Sequence, residues 1–213
     1  MVIASNLQLE TDIWIKSSWK QFLSIADKLS HPKAKFYYYR GYMRVEMSPV
    51  GPLHARQNSI ISKIISLYAT VKNLRIVELA NASFRQQAKS EFQPDLSYYI
   101  GVEFKLPPRT NTPINLNEFN APRLIVEIGA SSVNDDLGTK RLLYETSGIE
   151  EYWVIDASSN KVIAFSISDG RSGTVPESLV LPGLTISLVE SALKRSQTED
   201  DGAINRWLLQ TFS

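Results

Sequence analysis

Leu124-Ile125-Val126-Glu127-Ile128 is apolar on both faces of an extended chain except at one carboxylate. That is the pattern of a central strand covered on both sides. It predicts a sheet with helices packed against it, and it makes Glu127 the residue whose chemistry contradicts its position. An ionised carboxylate in a dry interior is prohibitive unless it is paired or metal-bound. Two readings stay open from the pattern alone: a strand-end glutamate that reaches solvent or sits in a structural ion pair, and a functional acid.

Downstream of this strand, Asn134 or Asp135 is placed to cap a helix running to about Ser147, where Gly148 stops it. Lys140 falls on the apolar stripe of that helix, sharing a face with Leu137, Leu143 and Tyr144. If the stripe packs on the sheet, the ammonium is drawn toward the strand bearing Glu127; otherwise the lysine snorkels along the stripe's edge with its head in water. Upstream, Pro94 opens a strand from Asp95 to Ile100, since proline has no amide hydrogen to donate to a ladder. Alone, Asp95 is a turn acid. If its strand neighbours that of Glu127, about 4.8 Å away, two carboxylates converge. Such hard oxygen ligands suit Mg²⁺ or Mn²⁺ far better than zinc.

Further out, Ser17 to Leu29 reads as an amphipathic helix, with Trp19, Phe22, Leu23 and Ile25 at helical spacing and Ser17 or Ser18 as its cap. Lys35 to Arg40 and Tyr42 to Met47 form a hairpin candidate joined at Gly41, and Ser48-Pro49-Val50-Gly51-Pro52 breaks the pattern. His54 to Lys72 repeats isoleucine, tyrosine and valine every three or four positions, as a helix with one buried stripe does. Leu74 to Leu79 and Ser83 to Gln87 read as strands, and Leu106 to Pro122 as a long surface loop. Glu151 to Asp156 and Val162 to Ser168 read as two more strands. A Pro182-Gly183 turn follows, then two C-terminal helices split near Asp200-Asp201-Gly202. This order predicts an α/β fold, a mixed sheet with helices on its faces. Lys33, Lys35, Arg40 and Arg44 interleave with Tyr37, Tyr38, Tyr39 and Tyr42 on the hairpin. That is either a cationic and aromatic surface for nucleic acid or the ordinary alternation of a sheet, aromatics inward and basic residues outward.

Composition narrows the function. The 213 residues are 43% hydrophobic and 21% charged, which suits one large globular domain with no internal repeat. Net charge is +1, so any grip on a polyanion must come from a local basic surface or a metal. Absence of cysteine removes disulfides, Cys-ligated zinc and thiol nucleophiles. No apolar run approaches the roughly 18 residues of a membrane span, and no basic start precedes an apolar run, so a soluble, unexported, cytoplasmic protein is expected. Only His31 and His54 could serve a Ser-His-Asp hydrolase, and no Gly-x-Ser-x-Gly elbow is present. Phosphate-binding loops and dinucleotide turns are absent. A glycosidase pair lacks aromatic platforms placed near the acids.

A family resemblance is carried by four stretches: Phe92-Gln93-Pro94-Asp95-Leu96, Leu124-Ile125-Val126-Glu127-Ile128, Asp136-Leu137-Gly138-Thr139-Lys140-Arg141-Leu142-Leu143-Tyr144, and Gly148-Ile149-Glu150-Glu151-Tyr152-Trp153-Val154-Ile155-Asp156. They resemble the restriction-endonuclease family called Uma-two, within the PD-(D/E)XK nuclease superfamily. Gly41 to Pro49 followed by His54 is similar to that family's first hairpin and core helix, so the likeness spans roughly residues 17 to 190. It implies a single restriction-endonuclease-like domain over 1–213, with 191–213 as a helical C-terminal extension. It also implies Mg²⁺-dependent (or Mn²⁺-dependent) hydrolysis of DNA. Asp95 and Glu127 match the two acids, which with the Ile128 carbonyl would hold the metal. Gly129 stands where a lysine usually follows the second acid, and Lys140 would supply that cation from the helix. This sequence reads Glu-Ile-Gly-Ala-Ser-Ser where relatives more often have Ser-Pro after the acid. Glu46 and His54 are accessory candidates for metal or phosphate. By analogy with nucleases that act on two strands, a homodimer is expected, with no membrane partner. The rival reading is a catalytically inactive member of the fold, serving as a DNA-binding or protein-interaction module.

Overall fold

Ser18 begins the first helix by a reciprocal exchange: its hydroxyl accepts from the Gln21 amide, and its own amide donates to the Gln21 side chain at 2.9 Å. The computed structural model describes residues 10–28, 34–47, 51–129 and 132–213. His31, Lys33, the Ser48-Pro49-Val50 break and the Ala130-Ser131 step of the loop after Glu127 lie outside the described residues.

The chain runs β1 (Ile15–Lys16), α1 (Trp19–Ala26), β2 (Lys35–Tyr39), β3 (Tyr42–Glu46), α2 (Pro52–Val71), β4 (Ile76–Ala80), β5 (Phe84–Gln86), β6 (Ser90–Phe92) and β7 (Leu96–Ile100). It continues through β8 (Ile114–Asn115), β9 (Leu124–Gly129), α3 (Val133–Asp135), a π-helical turn (Asp136–Lys140), α4 (Arg141–Glu145), β10 (Glu151–Asp156), β11 (Lys161–Ser168), β12 (Arg171–Thr174), α5 (Ile186–Arg195) and α6 (Asp201–Phe212). The turn of the β2–β3 hairpin puts Arg40 and Gly41 at φ of 48° and 81°, the left-handed pair that matches the twist of two-residue hairpins.

Instead of the single mixed sheet expected, the strands form two. One has the order β12-β11-β10-β9-β7-β4, antiparallel except for the β9–β10 pair, whose crossover carries α3, the π turn and α4. The other has the order β1-β3-β2-β6-β5-β8. Between Phe92 and Leu96 the chain passes from the second sheet to the first, and the step is Gln93-Pro94-Asp95. Proline has no amide to continue the ladder, so the break falls there and Asp95 is left at the junction of the two sheets.

Three apolar layers result. Leu124, Val126 and Ile128 turn one face of β9 toward α2, α5 and α6. Ile125 lies on the opposite face, packed with Tyr37, Tyr39, Phe84, Phe92 and Tyr144 of the second sheet and α4. The outer face of the second sheet, Phe36, Tyr38, Met43 and Val45, is covered by Phe22 of α1. The two-sided burial read from 124–128 is therefore met by helices on one side and largely by a second sheet on the other. Strand alternation puts Glu127 on the inter-sheet side with Ile125.

Several local expectations change. Asn134 and Asp135 do not cap the helix. Ser132 stands in that position and donates its hydroxyl to Asp136 at 2.8 Å rather than capping a backbone amide, while the Asp135 carboxylate accepts the Trp14 indole hydrogen at 2.6 Å and pairs with Arg44 at 3.3 Å. The helix is also interrupted by the π turn. The Leu106–Pro122 loop contributes β8 to the second sheet, and β6 and β12 were too short to register as periodic segments.

Candidate active site

β9 delivers Glu127 into the inter-sheet layer with 1% of its surface exposed. Its Oε1 accepts from the Tyr144 hydroxyl at 2.6 Å and the Tyr37 hydroxyl at 3.2 Å, and lies 3.5 Å from the Lys140 ammonium. Lys140, equally buried, is shared further: Glu46 Oε1 is 2.8 Å away and Asp136 Oδ1 is 2.9 Å away, with the Tyr37 ring beneath at 4.5 Å. Arg44 supports this group, donating to Glu46 at 2.9 Å.

Asp95 faces the same region from the start of β7. β7 runs antiparallel to β9 with Leu96 opposite Val126, so the two acids stand on neighbouring strands. Asp95 Oδ1 is 2.5 Å from the Lys35 ammonium; Oδ2 accepts the Ile128 amide at 2.8 Å and lies 3.3 Å from His54 Nε2. Gly129's carbonyl is taken by the Ala157 amide of the β10 side. Because successive peptides of a strand face alternate edges, the Ile128 carbonyl opens to the same edge as its amide, toward Asp95. His54 Nδ1 is buried with no partner among the described residues.

These surroundings set the charges. Burial pushes the Glu127 carboxyl up to about 7, against the pull of Lys140 and Lys35. Burial would lower Lys140, but Glu127, Asp136 and Glu46 together hold it well above the ordinary lysine value. Burial would raise Asp95, yet the His54 hydrogen bond and the Lys35 charge carry it well below the usual carboxylate range.

All the candidates named from the sequence thus meet in one connected group: Asp95, Glu127, Lys140, Glu46 and His54, with the Ile128 main chain between them. Lys35, Tyr37, Asp136 and Tyr144 also belong to it, though nothing in their sequence pattern assigns them a role there. Alternation along β2 puts Lys35 and Tyr37 on one face, which was the one available signal. The hairpin divides between the two readings: Arg40 and Tyr42 are exposed, and Lys33 lies outside the described residues. Tyr37, Tyr38 and Tyr39 are buried, but Arg44 and Lys35 also turn inward to carboxylates. Position 129, where the family resemblance places a lysine, is crowded. A Cβ on Gly129 would lie 2.7 Å from Asp136 Oδ2 and 2.9 Å from Ser132 Oγ. The space beside the second acid is filled by the residue that anchors Lys140.

Among the described residues no three His, Cys, Asp or Glu side chains converge as a metal cage. The donors that fit a hard divalent ion are two carboxylates and one main-chain carbonyl. A cation already rests on one of them: the Lys35 ammonium on Asp95, close enough to act on Glu127.

Two mixed sheets with helices packed against them, and a buried acid on each of two neighbouring strands where the sheets meet, make this a mixed α/β protein. The crystal structure of a putative nuclease from Anabaena variabilis shares this fold, with a TM-score of 0.55, 21% identity, and coverage of 83% of this chain and 98% of that one. Residues 19–198 match the Uma2 family, described as putative restriction endonuclease, and the chain belongs to that family. No curated protein matches it.

Proposed function

We propose that this chain is a divalent-metal-dependent endonuclease that hydrolyses phosphodiester bonds of DNA, with Asp95, Glu127 and Lys140 as its working residues. The supporting observation is the approach of Asp95 and Glu127 on adjacent antiparallel strands, with Lys140 beside Glu127. Asp95, Glu127 and the Ile128 carbonyl would hold Mg²⁺ or Mn²⁺, which when bound supplies the Lewis acidity that polarises a phosphate and acidifies a water. Lys140, paired with three carboxylates, helps position or deprotonate that water and offsets charge developing on the phosphate. Tyr37 and Tyr144 fix the rotamer of Glu127. The more open side chains of the group are Lys35 and His54, 18% and 20% exposed, so substrate would reach the acids past them. Cutting both strands of a duplex would call for two such sites, and the homodimer belongs to this reading.

One observation favours the inactive alternative: each carboxylate already has a protein cation beside it, as a purely structural network would. The two readings separate with supercoiled plasmid and single-stranded DNA incubated with Mg²⁺, Mn²⁺ or chelator. The enzyme nicks or linearises DNA only with metal, and Asp95→Ala or Lys140→Ala, checked for folding by circular dichroism, reduces cutting at least about 100-fold. Tight metal-free DNA binding without cutting would carry the alternative instead.

A further inference from the structure

We propose that Lys35 is a tethered cation that occupies the ion position of the metal-free site and must leave Asp95 when a divalent metal binds. The inference rests on the nuclease reading and adds a competitor built into the chain.

β2 is held in register by its ladders with β3 and β6, and its Tyr37 is fully buried, the hydroxyl lying 2.7 Å from the Gln93 carbonyl and 3.2 Å from Glu127 Oε1. Two residues earlier on the same face, Lys35 is thereby aimed at Asp95. It covers Oδ1, the oxygen left over once Oδ2 has taken the Ile128 amide. Its charge is also felt at Glu127, so it sits in the field of both acids.

The two lysines of the site differ in what holds them. Lys140 is bound by three carboxylates at 2% side-chain exposure. Lys35 has one carboxylate and is 18% exposed, so its flexible stem can carry the ammonium into water. An ammonium and a divalent ion cannot share one carboxylate oxygen without repelling each other. Entry of the metal at Asp95 Oδ1 therefore displaces Lys35, whereas Lys140 stays anchored by Glu46 and Asp136. Lys35 also lies at the open edge, where a departing ammonium meets solvent or an arriving phosphate.

The test is calorimetric titration of the full chain with Mn²⁺ and with Mg²⁺, with melting curves to establish that each variant is folded. Lys35→Gln keeps a hydrogen-bond donor for Asp95 without the charge; Lys35→Met removes both; Lys35→Arg keeps the charge. The neutral variants are expected to bind metal about tenfold tighter, the size of effect one neighbouring cation has on a carboxylate, while Lys35→Arg stays near wild type and Asp95→Asn binds far more weakly. In the wild-type chain, the ammonium resonance of Lys35 should move to that of a free lysine as Mg²⁺ is added. Neutral variants that bind no more tightly than wild type, or an ammonium resonance unchanged at saturating Mg²⁺, overturn the competitor while leaving the metal site standing. Failure of every form to bind either metal overturns the site reading together with it.

Discussion

Lys140 owes its charge to its neighbours: a fully buried ammonium alone would shed its proton, and Glu46, Asp136 and Glu127 prevent this. The dependence is mutual, because among the described residues Lys140 is the cation paired with buried Glu127 and Asp136, while Glu46 would keep only Arg44. Removing one partner from a buried ion group typically costs about 3–5 kcal/mol, most of it the uncompensated charge left behind. Lys140→Met is therefore expected to lower stability by about that amount before any chemistry is tested. Combining it with Glu127→Gln, which takes away one stranded carboxylate, should return at least about 1 kcal/mol. Urea unfolding of the four proteins in this cycle measures both effects. Additive losses would mean that the two side chains act independently, and the ion group would then not be a unit.

The segment after β9 works as an element because Gly129, Ser132 and Asp136 pack without a side chain between them. Gly129→Ala forces Asp136 or Ser132 to move, at a cost of about 1–3 kcal/mol, and should loosen Lys140, read as a lower melting temperature. Gly129→Lys, which restores the usual nuclease spacing, should fail to rescue cutting in a Lys140→Met chain, since the new stem meets Asp136 at once; recovery of activity would refute the steric account. This element also marks where sequence reading stops. The Pro94-Asp95 step and the apolar run around Glu127 were legible, because each contradiction between residue and position is local. Lys140 was legible because it interrupts a helical stripe. Lys35 and Tyr37 were not: alternation tells which hairpin residues share a face, but not whether that face meets water or a second sheet. The second sheet itself was hidden because β6, the strand that joins the hairpin to β5, is three residues long and too short for a periodic signal, while Ser83 to Gln87 read as a strand with nothing to say which sheet it enters.

Across the whole molecule, the site is held from behind by the C-terminal helices. α2 presents His54 to Asp95 at its first turn, and its buried stripe of Ile60, Ile61, Ile64 and Ile65 lies in one apolar cluster with Leu96, Val126 and Ile128 of the central sheet. Ile204, Leu208 and Phe212 of α6 belong to the same cluster, and Phe212 meets the Tyr68 ring edge-on at 5.1 Å. Ionic contacts repeat the attachment: Asp201 takes Arg56 and Lys63, the latter at 2.6 Å, and the Lys72 ammonium donates to the Phe212 carbonyl at 2.6 Å. Residues 191–213, expected as an extension, thus close the back of the helix that carries His54. Three large apolar side chains at about 2 kcal/mol each amount to roughly half of a typical domain's stability. A chain shortened to residues 1–199 should therefore be insoluble or melt far below wild type. Leu208→Ala alone should cost about 2–5 kcal/mol, measured by urea unfolding. If the shortened chain instead melts with the full one, α6 does not support α2, and the position of His54 must be set by the central sheet and α5 alone.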